Sequence, residues 1–130
     1  MKKEYQAAWL LKAVSLIDLT TLSGDDTEGR VLRLCAKARQ PVAPWMLERL
    51  GMQGLTTGAV CVYHEMVETA VRALEGTQVP VAAVSTGFPA GLSPYKLRIM
   101  EIGESVRAGA KEIDIVISRR HVLTQNWQAL

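Results

Sequence analysis

Four short runs of branched aliphatic residues, each separated from the next by a helical pattern, limit what this chain can fold into. The runs are residues 16–20, 58–63, 80–86 and 112–118. Hairpins need only a few linking residues, whereas these gaps are long enough for a crossover helix. Successive strands are therefore expected to run parallel in an α/β fold. Two architectures satisfy that order. One is a small open doubly wound sheet. The other is the N-terminal half, about four β-α units, of a (β/α)8 barrel preceded by a short N-terminal helix. A complete barrel takes about 250 residues, and the chain has 130. On the second reading residues 1–130 form a single incomplete barrel domain, truncated after strand four.

The gaps carry their own signals. Residues 4–14 read as the opening helix, with Ala7, Ala8, Leu10, Leu11 and Val14 available for burial. Ser23 to Thr27 form a loop in which Asp25 or Asp26 caps the next helix, Asp25 with Glu28 having the spacing of a capping box. That helix buries Val31, Leu34, Cys35 and Ala38. Pro44 suits the first turn of a short helix over residues 45–50, with Gly51 past its end. A helix from about Glu65 places Val67, Ala70, Val71 and Leu74 on one face and ends at Gly76. Ser93 and Pro94 open a helix whose buried stripe is Tyr95, Ile99, Ile102 and Val106, ended by Gly109. A last helix begins near Asn126, and the sequence stops within it.

Strand chemistry separates the two architectures. Central strands of an open sheet covered on both faces are nearly all apolar. Here Asp18 interrupts the first strand and Asp114 the fourth. Alternation places Asp114, Val116 and Ser118 on one face, opposite Ile113, Ile115 and Ile117. A buried carboxylate without a partner costs several kcal/mol or a raised pKa. Asp114 is thus read as functional, with a structural ion pair or hydrogen-bond anchor as the alternative. Asp18, followed by Leu19, Thr20 and Thr21, serves a site or caps a turn equally well. Thr20 and Cys61 are weaker pocket candidates, since threonines near strand ends and free cysteines are mostly packing groups. The loop Gly87-Phe88-Pro89-Ala90-Gly91 lets backbone approach a ligand, but has neither Walker nor dinucleotide spacing.

Composition excludes several classes. The balance of 15 basic and 13 acidic residues gives a net charge of +2, and Arg119-Arg120-His121 is the only basic cluster. No nucleic-acid face is expected. Cys35 and Cys61 have no ligand spacing, and His64 and His121 are isolated, so no metal site is expected. No run approaches the roughly 20 apolar residues of a membrane span, and the start carries no apolar signal core. A cytoplasmic protein with reduced thiols is expected.

Read together, the strand and loop motifs resemble those of deoxyribose-phosphate aldolases. Ile17-Asp18-Leu19-Thr20-Thr21-Leu22 with Asp25-Asp26-Thr27 is similar to that family's opening strand and loop. Ala59-Val60-Cys61-Val62-Tyr63 resembles the second strand, Gly87 to Gly91 the loop after the third, and Glu112 to Ile117 the fourth. Around Gln6-Ala7-Ala8-Trp9-Leu10-Leu11-Lys12 the resemblance is to the animal form. It implies a barrel enzyme that cleaves 2-deoxy-D-ribose 5-phosphate to glyceraldehyde 3-phosphate and acetaldehyde through a lysine Schiff base, without metal or organic cofactor. It further implies proton relay at Asp114 and a supporting pocket role at Asp18. The small-molecule partner is then a sugar phosphate.

The resemblance also has a gap. In that family the Schiff-base lysine and its partner lysine stand on the sixth and seventh strands, and the phosphate is held by loops after the last strands. None of these strands has a counterpart here. Lys2, Lys3 and Lys12 belong to the opening helix or precede it, Lys37 and Lys96 to later helices, and Lys111 precedes strand four. No Schiff-base lysine is expected in this chain, which should be inactive alone and should self-associate through open sheet edges. Two further readings stay open: a non-catalytic short form acting as an interaction module, and a small open-sheet phosphate-binding domain. Asp25 and Asp26 at a helix start disfavour the latter.

Overall fold

A computed structural model describes residues 2–130. Helix α1 (Lys3–Val14) precedes strand β1 (Asp18–Thr20), then α2 (Glu28–Arg39), α3 (Pro44–Arg49), β2 (Ala59–Val62), a 3-10 turn at His64–Met66 leading into α4 (Val67–Ala73), β3 (Val81–Ser85), α5 (Tyr95–Arg107), β4 (Glu112–Ile115) and α6 (Arg119–Leu123), with a final 3-10 turn at Trp127–Ala129. The four strands form one parallel sheet in the order β1-β2-β3-β4.

That order, with the helical core on one face, separates the two architectures. The main core joins Val31, Cys35 and Ala38 of α2 and Val67 and Ala70 of α4, with Leu74 just past its end, to Val60, Val62, Val81 and Ala83 of the sheet. The opposite face holds a smaller cluster of Ala59, Cys61, Ala82 and Val84, covered only by Leu22, Tyr63 and Phe88 from the strand ends and loops. A doubly wound sheet reverses its strand order and carries helices on both faces. Sequential parallel strands with a helix layer on one side are half of a (β/α)8 barrel.

The helices α2 and α4 follow the apolar spacing of their sequences. Other elements depart from it. The start of α2 is capped by Thr27, whose hydroxyl accepts the Arg30 amide at 3.3 Å. Neither Asp25 nor Asp26 caps it, because both carboxylates are engaged elsewhere. Pro94, not Ser93, is the residue preceding α5. Strands β1 and β4 are shorter than the apolar runs, and residues 119–123, not read as helical from the sequence, form α6. In α1, Leu11 and Val14 are half-buried, but Leu10 stays exposed.

The largest departure is in α5. Its expected buried stripe is outward at three positions: Tyr95 is 71% exposed, Ile99 49% and Val106 54%. The inward face runs through Arg98, Glu101, Ile102 and fully buried Ser105. Polar anchors set this rotation. Glu101 accepts the Gly87 amide at 2.8 Å, and Arg98 donates to the Ser118 hydroxyl at 3.2 Å. Apolar periodicity cannot register a helix face that is held by specific hydrogen bonds.

The loop between β1 and α2 is organised around Asp26, whose side chain is only 6% exposed. It accepts the Thr21 hydroxyl at 2.9 and 3.0 Å, the Ser23 amide at 3.0 Å and Arg30 Nη1 at 3.0 Å. Burial alone would raise the Asp26 pKa, but the Ser23 amide, the Thr21 hydroxyl and the Arg30 guanidinium outweigh it and hold the carboxyl below its ordinary value. Asp25 is lowered too, first by the Ser23 hydroxyl and then by Arg30. Carboxylates depressed in the folded state stabilise it above their unfolded pKa, and the contribution disappears as pH falls through the folded values. Thermal unfolding followed from neutral pH to below 3.8 should therefore show an acid loss of Tm that is flatter in Asp26→Asn. An unchanged acid limb would remove Asp26 from this role.

Candidate functional site

Paired positions in neighbouring parallel strands project to the same face. Asp18 pairs with Ala59 and Thr20 with Cys61. Cys61 pairs with Ala82, Ala82 with Glu112, and Val84 with Asp114. The residues singled out from the sequence, Asp18, Thr20, Cys61 and Asp114, thus lie on the one sheet face that carries no helix. In barrel terms this is the inner face. The floor between the two aspartates is built of small side chains, Ala59, Cys61 and Ala82, each buried.

Both aspartates are exposed, which corrects the expectation of a buried carboxylate in β4. The reason is the open sheet: no further strand lies over β4 on one side or β1 on the other. No ion pair holds either aspartate among the described residues. Ile115 and Ile117, expected against helices, are also exposed at 56% and 47%, since β4 is an edge strand.

Cys61 is 3% exposed and sits at the centre of this face. Its thiol is pushed up to about 11 by burial first, then by the negative charges of Asp114 and Asp18, with only partial opposition from the Thr20 hydroxyl and the Val84 backbone. A thiol so placed stays protonated at neutral pH and is a poor nucleophile. The Thr20 hydroxyl donates to the backbone two residues earlier, the Asp18 carbonyl, at 2.7 Å. The Thr21 amide donates to the Cys61 carbonyl at 3.1 Å, carrying the β1–β2 pairing past the end of β1.

At the C-terminal ends of the strands the structure adds Thr86, which the sequence reading passed over, to the loop that it marked. Thr86, at φ +66, clamps the β4 edge. Its hydroxyl accepts the Val116 amide at 2.8 Å and donates to the Val116 carbonyl at 2.9 Å. Gly87 follows at φ +77, where a Cβ would come within 2.6 Å of the Ser93 hydroxyl oxygen. Phe88, ahead of a cis bond to Pro89, meets Tyr63 edge-on at 6.0 Å and 69°. Glycine and proline marked the loop in the sequence, but nothing marked Thr86 as a strand clamp.

The lysines lie off this face. Lys3 and Lys12 line a groove along α1. Lys37 and Lys96 are exposed on α2 and α5. The Lys111 amide donates to the Val81 carbonyl at the N-terminal end of the sheet, opposite the loops just described. No group of metal-ligating side chains is assembled among the described residues, and no helix among them is long and apolar enough to cross a membrane.

No family model matches the chain. Its likeness to individual proteins is extensive. It is 57% identical over its whole length to deoxyribose-phosphate aldolase of Mus musculus and 55% identical to that of Homo sapiens, and it spans 42% of the length of each. A crystal structure of a putative deoxyribose-phosphate aldolase from Coccidioides immitis superposes with a TM-score of 0.72 at 29% identity, over 88% of this chain and 40% of that one. Across all of its residues, the chain is similar to the N-terminal half of the animal deoxyribose-phosphate aldolases, of whose length it spans less than half.

Proposed function

We propose that this chain supplies one wall of a class I aldolase site acting on 2-deoxy-D-ribose 5-phosphate in the cytoplasmic breakdown of deoxyribonucleosides. The observation that carries the reading is the convergence of Asp18, Thr20, Cys61 and Asp114 on one open sheet face. In a retro-aldol cleavage the bond between C2 and C3 breaks. A Schiff base at C1 takes up the electron pair, the C3 hydroxyl loses its proton, and C2 later gains one. Asp114, solvated on the edge strand of this face, is suited to pass those protons through water. Asp18 shapes the same pocket, and Thr20 and Cys61 line it. No organic cofactor or metal enters this scheme.

The amine is the missing part. None of the lysines among the described residues lies on the inner face, so the nucleophile would come from a second polypeptide segment, and the chain alone is inactive. Borohydride trapping of the purified chain with acetaldehyde, read by peptide mass spectrometry, tests this. Absent or scattered labelling is the expected result. One lysine carrying most of the adduct would overturn it. The unpaired edges of β1 and β4 and the outward stripe of α5 favour a second reading, a non-catalytic module that associates with itself or another chain through these surfaces.

A further inference from the structure

Phe88, in the loop from Gly87 to Gly91, packs with Tyr63 and Leu22 on the inner-face floor of Ala59, Cys61, Ala82 and Val84. The loop closes on itself, the Gly91 amide donating to the Gly87 carbonyl at 2.8 Å. It is also pinned from outside at both ends. At its start the Gly87 amide donates to the Glu101 carboxylate at 2.8 Å. At its end the Gly91 carbonyl accepts the Ser118 hydroxyl at 3.3 Å, and that hydroxyl accepts Arg98 Nη1 at 3.2 Å. We propose that Glu101 is a positioning residue of the candidate pocket: by holding the Gly87 amide it keeps Phe88 seated over the floor that contains Cys61.

Glu101 is half-buried on the inward face of α5, where a carboxylate costs desolvation that an apolar side chain avoids. It forms no ion pair among the described residues, so its hydrogen bond to the loop is what offsets that cost. The amide it holds belongs to the residue before Phe88, and a shift at that anchor carries directly to the ring. Thr86, on the other side, is already clamped to Val116, so the movable backbone begins at Gly87. That residue stands at φ +77, and glycine's wide backbone freedom would let the loop swing without an outside anchor. The proposal rests on the aldolase reading only in calling this face a substrate pocket.

The full chain carries its own probes. Cys61 lies under the cover, whereas Cys35 is buried in the helix-side core. Alkylation by N-ethylmaleimide, followed residue by residue by peptide mass spectrometry, therefore separates opening of the loop from unfolding of the chain. Glu101→Leu removes the acceptor and keeps the bulk. It should raise the Cys61 labelling rate about tenfold, the usual worth of a hydrogen bond to a charged group, and leave Cys35 unchanged. Glu101→Gln keeps an oxygen for the amide and should label like the unaltered chain. Phe88→Ala should reproduce the rise, and adding Glu101→Leu to it should give no further increase. An unchanged Cys61 rate in Glu101→Leu, a parallel rise of both cysteines, or additive effects of the two substitutions would each overturn the proposal. The measurement needs no substrate, so its outcome is independent of whether borohydride trapping upholds the aldolase reading.

Discussion

Mixing this chain with the segment of the mouse relative that lies beyond the matched 42% should generate aldolase activity that neither piece has alone. The sheet has two unpaired edges and an inner face that carries no helix, and closing it requires strands that this chain does not contain. The added segment would bring the amine, and this chain would bring Asp18 and Asp114. In the mixture Asp114→Asn should lower kcat about 10²- to 10⁴-fold, the usual worth of a positioned proton-transfer group. Asp18→Asn, at the supporting position, should cost less. Release of glyceraldehyde 3-phosphate from 2-deoxy-D-ribose 5-phosphate, measured by a coupled assay, gives the readout. A complex that assembles and stays inactive would mean that this face does not complete the site. Full activity in Asp114→Asn would leave the aspartate as a surface residue of an edge strand.

The second large effect concerns stability. Leu74, 4% exposed, packs in the helix-side core with α2, α4 and the sheet. Truncating a buried leucine to alanine removes its transfer free energy and leaves a cavity, typically about 2–5 kcal/mol. Whole domains are stable by only about 5–15 kcal/mol. This one has the edge-strand residues of its inner face and its α5 stripe open to water, so its stability should lie at or below the low end. Leu74→Ala is therefore expected to abolish most of the cooperative urea transition seen by circular dichroism. Leu92→Ser, at a position 77% exposed, should change stability by no more than about 0.5 kcal/mol. A Leu74→Ala shift below about 1 kcal/mol would mean that the core relaxes around the site.

Much of the architecture was readable from local pattern. Period-two aliphatic runs and period-3.6 stripes located the strands and the helices α2 and α4, because the side chains that make those patterns are the ones the main core buries. The two aspartates within aliphatic strands pointed to an open face, and strand alternation placed Asp114 on it without any coordinates. The absence of a lysine on those strands was likewise a property of the residue order.

Tertiary structure decided what depends on non-local partners. The sequence could not rotate α5, whose inward face is chosen by Glu101 binding the Gly87 amide and Arg98 binding Ser118. It placed the cap of α2 at Asp25 or Asp26, whereas Asp26 is taken by Thr21, Ser23 and Arg30, leaving Thr27 at the helix start. It read Asp114 as buried, whereas burial depends on strands beyond β4 closing over it. Periodicity reports how a segment divides its own side chains between water and core. Which neighbour supplies that core, and which faces stay uncovered, is fixed only when distant parts of the chain meet.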